Sequence, residues 1–360
     1  MTRIPGPLRV AALAFAVALL AAPAEAQRVK PGKWRVNDEP EGWILAKSAN
    51  YQIQSQVPRE RALAVAAHLE AMMMEYRRRF KSKKPLPEFT LKIFKNAEEY
   101  HKYGAPPGSL AYYTDQADEL VCFDTGTLDG REKPPDPAEG KDLKDRLKAL
   151  GIPEEELSNV DLLVALKRLS TMPLLGVLSH EGWHQYFHFW IVSMVDFPSW
   201  LDEGMGDYFS TAVVSKDAKT VKCGEIAPIR FAMIHAAIRQ GKHVPIADLI
   251  RFRQSDYYKN PGLCYAEGWS LVYFCYHSGN PRYKEIPDRI IEVFKDKHKM
   301  DLATDIAFKG IDLAKFEEDW KAFFLGLDFK ETMIGIARER SGEDTTTPAT
   351  TTEKPKPPTD

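Results

Sequence analysis

Polar and apolar residues alternate first at Tyr51-Gln52-Ile53-Gln54-Ser55-Gln56-Val57, a period of two that predicts a strand. Over 58–81 the period changes. Ala62, Ala66, Leu69, Met73, Tyr76 and Phe80 recur at gaps of four and three, the apolar side of an amphipathic helix. The Met72-Met73-Met74 run inside it reads as flexible core filler. Phe89-Thr90-Leu91-Lys92-Ile93-Phe94 alternates as a second strand, and 97–103 reads as a short helix. Apolar segments at 110–113 and 120–123 flank the turn-forming residues 115–118 and predict a hairpin.

The second half carries the helical period instead. Helices are expected over 230–239, 246–253, 264–278, 284–297, 302–307 and 313–327. The fold class is therefore α+β: a small N-terminal mixed sheet with helices, followed by a mainly helical part. Residues 27–42 read as a loose lead-in. The stretch 129–160, rich in Pro, Asp, Glu and Lys, reads as a charged surface insertion with a short helix near 142–150; a lid over a cleft is the competing reading. The last segment, 341–360, is low in complexity and built of Thr, Pro and Lys, so it is expected to be disordered. The expected division is 27–170 for the N-terminal α/β subdomain and 171–340 for the helical one.

Residues 1–26 change the setting. Arg3 and Arg9 precede an apolar run over 10–22, and Ala24-Glu25-Ala26 precedes Gln27. That is the pattern of a signal peptide cleaved after Ala26, so the expected location is secreted or periplasmic. Loss of Arg3, Arg9 and Glu25 moves the net charge from −2 to −3. A charge so near zero argues against nucleic acid as a partner, and no later apolar run reaches the length of a membrane span. The sequence leaves the oligomeric state open. An oxidising compartment would allow Cys122, Cys223, Cys264 and Cys275 to pair, with Cys223–Cys264 the favoured bridge. Their spacing is equally that of ordinary buried cysteines. No C-x-x-C pair points to a cysteine zinc site.

The chemistry is concentrated at His180-Glu181-Gly182-Trp183-His184, an H-E-x-x-H, followed after eighteen residues by Glu203. Positions i and i+4 share a helix face, so both imidazoles can point at one metal ion. Glu181 then flanks the metal, placed to take a proton from a bound water. His180, His184 and Glu203 plus a water make the open coordination of a catalytic zinc, one ion per chain. Apolar residues over 172–179 and 185–190 keep the motif on a half-buried helix. Asp207, one turn beyond Glu203, can accept from a ligand histidine N–H.

These residues resemble the gluzincin metallopeptidases. The gap of eighteen and the phrase Trp200-Leu201-Asp202-Glu203-Gly204 are similar to the aminopeptidase N-like branch. The longer phrase from Pro198 also resembles bacterial peptidase MA-like families of unassigned function. The resemblance is firmest over 174–209 and weaker over 263–276. It implies a zincin, thermolysin-like catalytic domain, whose small mixed sheet precedes the active-site helix and offers an open edge to a peptide. It also implies a role for Tyr265. Tyr265-Ala266-Glu267-Gly268 resembles a Y-x-K-G phrase whose tyrosine hydrogen-bonds the oxyanion, a role that suits a neutral phenol. The competing reading is a core tyrosine in an aromatic helix. Two departures stand out. Glu267 occupies the family's lysine position, and the G-x-M-E-N phrase that binds a free N-terminus is missing. Exopeptidase specificity is therefore not implied.

Other polar residues read more plainly. His188 lies a turn past His184 and suits a supporting or surface position; His235 and His277 have no assigned place. Arg230 suits a surface ion pair better than a substrate carboxylate. The reading overall is an exported zinc-dependent peptidase acting on a peptide or protein, with Glu181 as base and Tyr265 as oxyanion donor. Its rivals are a catalytically weak metal-binding scaffold of the cell envelope and a zinc hydrolase of another amide.

Overall fold

The computed structural model describes residues 29–35, 39–81, 85, 87–114, 116–129, 148, 154, 158–169, 173–190 and 197–341. The signal segment, the helix expected near 142–150 with most of its surrounding insertion, and the tail past 341 lie outside them. The chain forms two compact units: residues 1–125, 174–190 and 213–222 make the first, and 126–173, 191–212 and 223–360 the second. The architecture is α+β, with a small N-terminal sheet and a mostly helical C-terminal part.

In the first unit five strands lie in the order β1 (Ile44–Lys47), β2 (Tyr51–Ser55), β3 (Phe89–Phe94), β5 (Glu119–Phe123) and β4 (Ala111–Thr114). β2, β3 and β5 run parallel, while the outer β1 and β4 are antiparallel to their neighbours. Parallel neighbours need a crossover, and the Arg59–Arg79 helix supplies it between β2 and β3. The short Ala97–Lys102 helix starts where the Asn96 side chain accepts the Glu99 N–H at 2.9 Å. All these elements fall on the expected segments. β1 is additional: four residues without alternation carry no period to read. A two-stranded ribbon, β6 (Val213–Val214) with β7 (Val221–Lys222), is likewise additional.

Alternation along β2 and β3 suggests one wet face, but every residue of both strands is buried. The apolar face presents Tyr51, Ile53, Phe89, Leu91, Ile93, Leu120 and Cys122. Tyr51 there donates its hydroxyl to Gln185 at 3.1 Å, and Phe89 meets Phe189 edge-on at 5.5 Å, which ties the sheet to the Leu174–Trp190 helix. The opposite face presents Gln52, Gln54, Lys92 and Glu119. The lead-in covers it. Trp34 N–H donates to Gln52 Oε1 at 2.8 Å, Gly32 N–H to Glu119 at 3.0 Å, and Lys92 to Glu119 at 2.7 Å and to the Lys30 carbonyl at 3.2 Å. Buried polar side chains need partners, and here the backbone of 30–34 provides them. The lead-in is thus part of the fold where the sequence suggests a loose end.

The second unit is helical around Pro261–His277. Against it pack Ser199–Phe209 and Pro228–Arg239. Gly204 and Gly268 set the first crossing. A Cβ on Gly204 would lie 2.4 Å from the Gly268 carbonyl oxygen, and one on Gly268 would lie 2.7 Å from the Trp200 carbonyl oxygen. Only two glycines allow backbones that close. Trp269, Phe274, Phe316, Trp320 and Phe324 fill the space behind. Trp320 donates its indole N–H to Ser270 Oγ at 3.0 Å. Leu313–Leu325 begins at Asp312, whose side chain accepts from Ala314 and Lys315 N–H.

The helix expected over 246–253 is instead two short ones, Ile246–Leu249 and Gln254–Tyr257. Arg253 turns extended between them, and Arg251 and Arg253 reach Asp305 and Asp301. Phe329–Ser341 and Val160–Leu169, which pack on each other, are additional helices. All four cysteines are free thiols, so the Cys223–Cys264 bridge is not formed. Among the described residues no helix is long and apolar enough to cross a membrane.

Candidate metal centre

His180, Glu181 and His184 belong to the first unit, on the Leu174–Trp190 helix. That helix is buried at every position from 176 to 188, not half-buried as its sequence suggests. Its faces are apolar nearly all round, the mark of a core helix. The histidines' Nε2 atoms stand 3.0 Å apart. Two nitrogens bound at about 2.05 Å on a tetrahedral ion would stand roughly 3.3 Å apart, so the pair fits the two-histidine side of such a site.

The preceding residue is clamped from three directions. Tyr76 donates to the Ser179 carbonyl at 2.5 Å, and Ser179 Oγ donates to the Leu175 carbonyl at 2.9 Å. The same Oγ accepts from His68 Nε2 at 2.7 Å. Burial pushes His68 down to about 4, so its ring is neutral at pH 7 and carries the proton that this bond uses. Gly182 explains why the Arg59–Arg79 helix comes so close: a Cβ there would meet Leu69 Cδ2 at 3.3 Å. Trp183 stacks on Phe187 with centroids 4.6 Å apart.

Glu181 accepts the Tyr113 N–H at 3.1 Å. Tyr113 lies on β4, the outermost strand, so a sheet edge reaches the expected base. His188 is buried, its ring stacked on His184 with centroids 5.7 Å apart. It supports the motif from inside the core and is not a surface residue.

Glu203 and Asp207 belong to the second unit, on Ser199–Phe209, which is buried along its whole length. Tyr258 donates its hydroxyl to Glu203 Oε1 at 2.7 Å, and the Tyr265 hydroxyl lies 3.4 Å from that of Tyr258. Burial first, and then the Glu203 carboxylate, hold both phenols well above their ordinary range. Both therefore stay protonated and able to donate.

Asp207 forms an ion pair with Arg230, Nε to Oδ2 at 2.6 Å with a longer 3.4 Å contact beside it. The side chains are 1% and 10% exposed, so Arg230 is not in the surface pair its sequence suggests. Burial opposes the Arg230 charge, but Asp207 outweighs it and keeps the guanidinium charged. The same group sits over the Tyr265 ring at 5.0 Å. Glu203, Tyr258, Tyr265, Arg230 and Asp207 thus form one polar chain within the second unit.

Tyr258 is the functional candidate that sequence reasoning misses. It caps a four-residue helix in a polar stretch, with no period or motif to mark it. Its neighbour Tyr257 turns away to donate to the Cys264 carbonyl at 2.7 Å. The unassigned histidines have structural surroundings: His235 stacks on Phe329 at 5.0 Å and His277 on Tyr273 at 4.2 Å. Glu267, at the position of the family's lysine, is buried and accepts the Val244 N–H at 2.7 Å. Burial pushes it up to about 8.

Buried donors able to hold a metal ion occur in each unit: His180, His184 and His188 in the first, Asp202 and Glu203 in the second. A family described as "Protein of unknown function (DUF1570)" matches residues 175–289, a span that holds His180, Glu181, His184, Glu203, Asp207, Tyr258 and Tyr265. No curated protein matches the chain.

Proposed function

We propose that the chain is an exported zinc-dependent peptidase of gluzincin type, with one zinc held by His180, His184 and Glu203. The observation that carries this reading is the pair of imidazole nitrogens 3.0 Å apart on a buried helix, with Glu181 between them in sequence. Their chemistry fits zinc: two neutral imidazoles and a carboxylate leave a position open. Bound there, zinc supplies Lewis acidity and a water that ionises near neutral pH. Glu181 takes the proton and returns it to the leaving amine. The Tyr113 N–H holds its carboxylate beside the sheet edge in the meantime. Tyr265 donates to the developing oxyanion, kept neutral by its surroundings. Asp207 orients a ligand histidine, and Arg230 fixes the carboxylate that does so. The open edge of β4 is where an extended peptide would pair.

The test is metal analysis and peptide-library cleavage on the mature chain. About one zinc per chain is expected, with hydrolysis lost on chelation and regained with zinc. Glu181→Gln should keep the zinc and lose hydrolysis by about 10²–10⁴-fold. Full hydrolysis after verified metal removal would sink the reading.

A further inference from the structure

We propose that Tyr258 is a positioning residue for the metal centre, its hydroxyl holding the Glu203 carboxylate and so setting how tightly zinc is bound. The inference rests on Glu203 being a zinc ligand, as argued above, and goes beyond it. The hydroxyl lies 2.7 Å from Glu203 Oε1, a short bond to an ionised acceptor. A carboxylate on a helix can rotate about its side-chain bonds. A buried donor on one oxygen removes that freedom and leaves the other oxygen to face a cation. Partners of this kind typically contribute 10- to 100-fold in metal affinity.

The surroundings fit a fixed support. Tyr258 is held between rings, with centroids of Tyr257 and Tyr265 at 6.1 and 6.2 Å. Tyr257 is itself locked to the Cys264 carbonyl, and the Gly204–Gly268 crossing fixes the two long helices that bear Glu203 and Tyr265. Glu203 is therefore gripped through a hydroxyl that carries no charge of its own. A lysine or arginine in its place would neutralise the ligand and compete with zinc. A phenol orients the carboxylate and leaves its negative charge available to the ion.

The experiment is a zinc titration of the mature chain against a competing chromogenic chelator, read as Kd, beside melting curves without metal. Tyr258→Phe should weaken zinc binding about 10- to 100-fold. The metal-free melt should move little, since the ring remains. Glu203→Ala is the control and should bind zinc more weakly still. A Tyr258→Phe chain with wild-type Kd, beside a Glu203→Ala chain that has lost zinc, overturns the inference and leaves the ligand set intact. Wild-type Kd in Glu203→Ala overturns the ligand set and this inference together. Should Tyr258→Phe not fold, Tyr258→Met, equally without a donor, is titrated in its place and judged by the same outcomes.

Discussion

The two helices that carry the candidate site are both fully buried, yet they are fixed by different means. Leu174–Trp190 is fixed by side-chain packing. Aromatic rings flank it, Tyr76 and His68 clamp Ser179, and its one close glycine, Gly182, faces the ends of side chains. Ser199–Phe209 is fixed by backbone contact at Gly204 and by a chain of polar groups from Glu203 to Asp207. Side-chain packing adjusts to a change of a few tenths of an ångström; backbone contact and a buried polar chain do not. Histidine placement should therefore tolerate neighbouring substitutions better than Glu203 placement.

The largest expected effect is chemical. Tyr265→Phe should lower kcat by about 10²–10³ with little change in KM, as loss of one oxyanion donor does. Near-wild-type kcat with lowered stability would return Tyr265 to the core and move the donor elsewhere in the polar chain.

The next effect tests the glycines directly. Gly268→Ala forces a Cβ against the Tyr257 hydroxyl at 2.5 Å and the Trp200 carbonyl at 2.7 Å. A loss of about 1–3 kcal/mol in denaturant melts is expected. Gly182→Ala meets nothing nearer than 3.3 Å and should cost less than about 1 kcal/mol. The reverse order would undo the contrast between the helices.

A smaller effect is set by pH. Glu267, pushed up to about 8 by burial, binds its proton more tightly in the folded chain than in the unfolded one. Between its ordinary value of 4.5 and about 8 the folded state holds more protons, so stability falls as pH rises through that window. Glu267→Gln mimics the neutral acid and keeps an acceptor for the Val244 N–H. It should match wild type near pH 5 and gain on the order of 1 kcal/mol at pH 9, where the wild-type chain must hold a buried charge. Equal melting temperatures at pH 9 would mean that Glu267 titrates normally.

What the sequence made legible follows the same contrast. Period-two and period-3.6 patterns marked β2, β3, the β4–β5 hairpin and most helices, because each depends on a local repeat. H-E-x-x-H was legible because two imidazoles on one helix face need only the i, i+4 spacing, and their nitrogens do converge. Tyr258 was not, since its hydroxyl reaches Glu203 across 55 residues of sequence. Arg230 was misread as a surface group because nothing local announces that Asp207, 23 residues earlier, is buried beside it. The lead-in was misread because its partners, Gln52, Gln54, Lys92 and Glu119, are themselves the polar half of alternating strands. Alternation shows that a face is polar; only tertiary structure shows that it is covered.

The central claim is that histidines from one helix and a carboxylate from the other hold the same ion. Zinc titration of the mature chain beside His184→Ala and Glu203→Ala tests it most directly. The account predicts one zinc per wild-type chain and a large loss of affinity in both variants. Wild-type zinc affinity in either variant would contradict it.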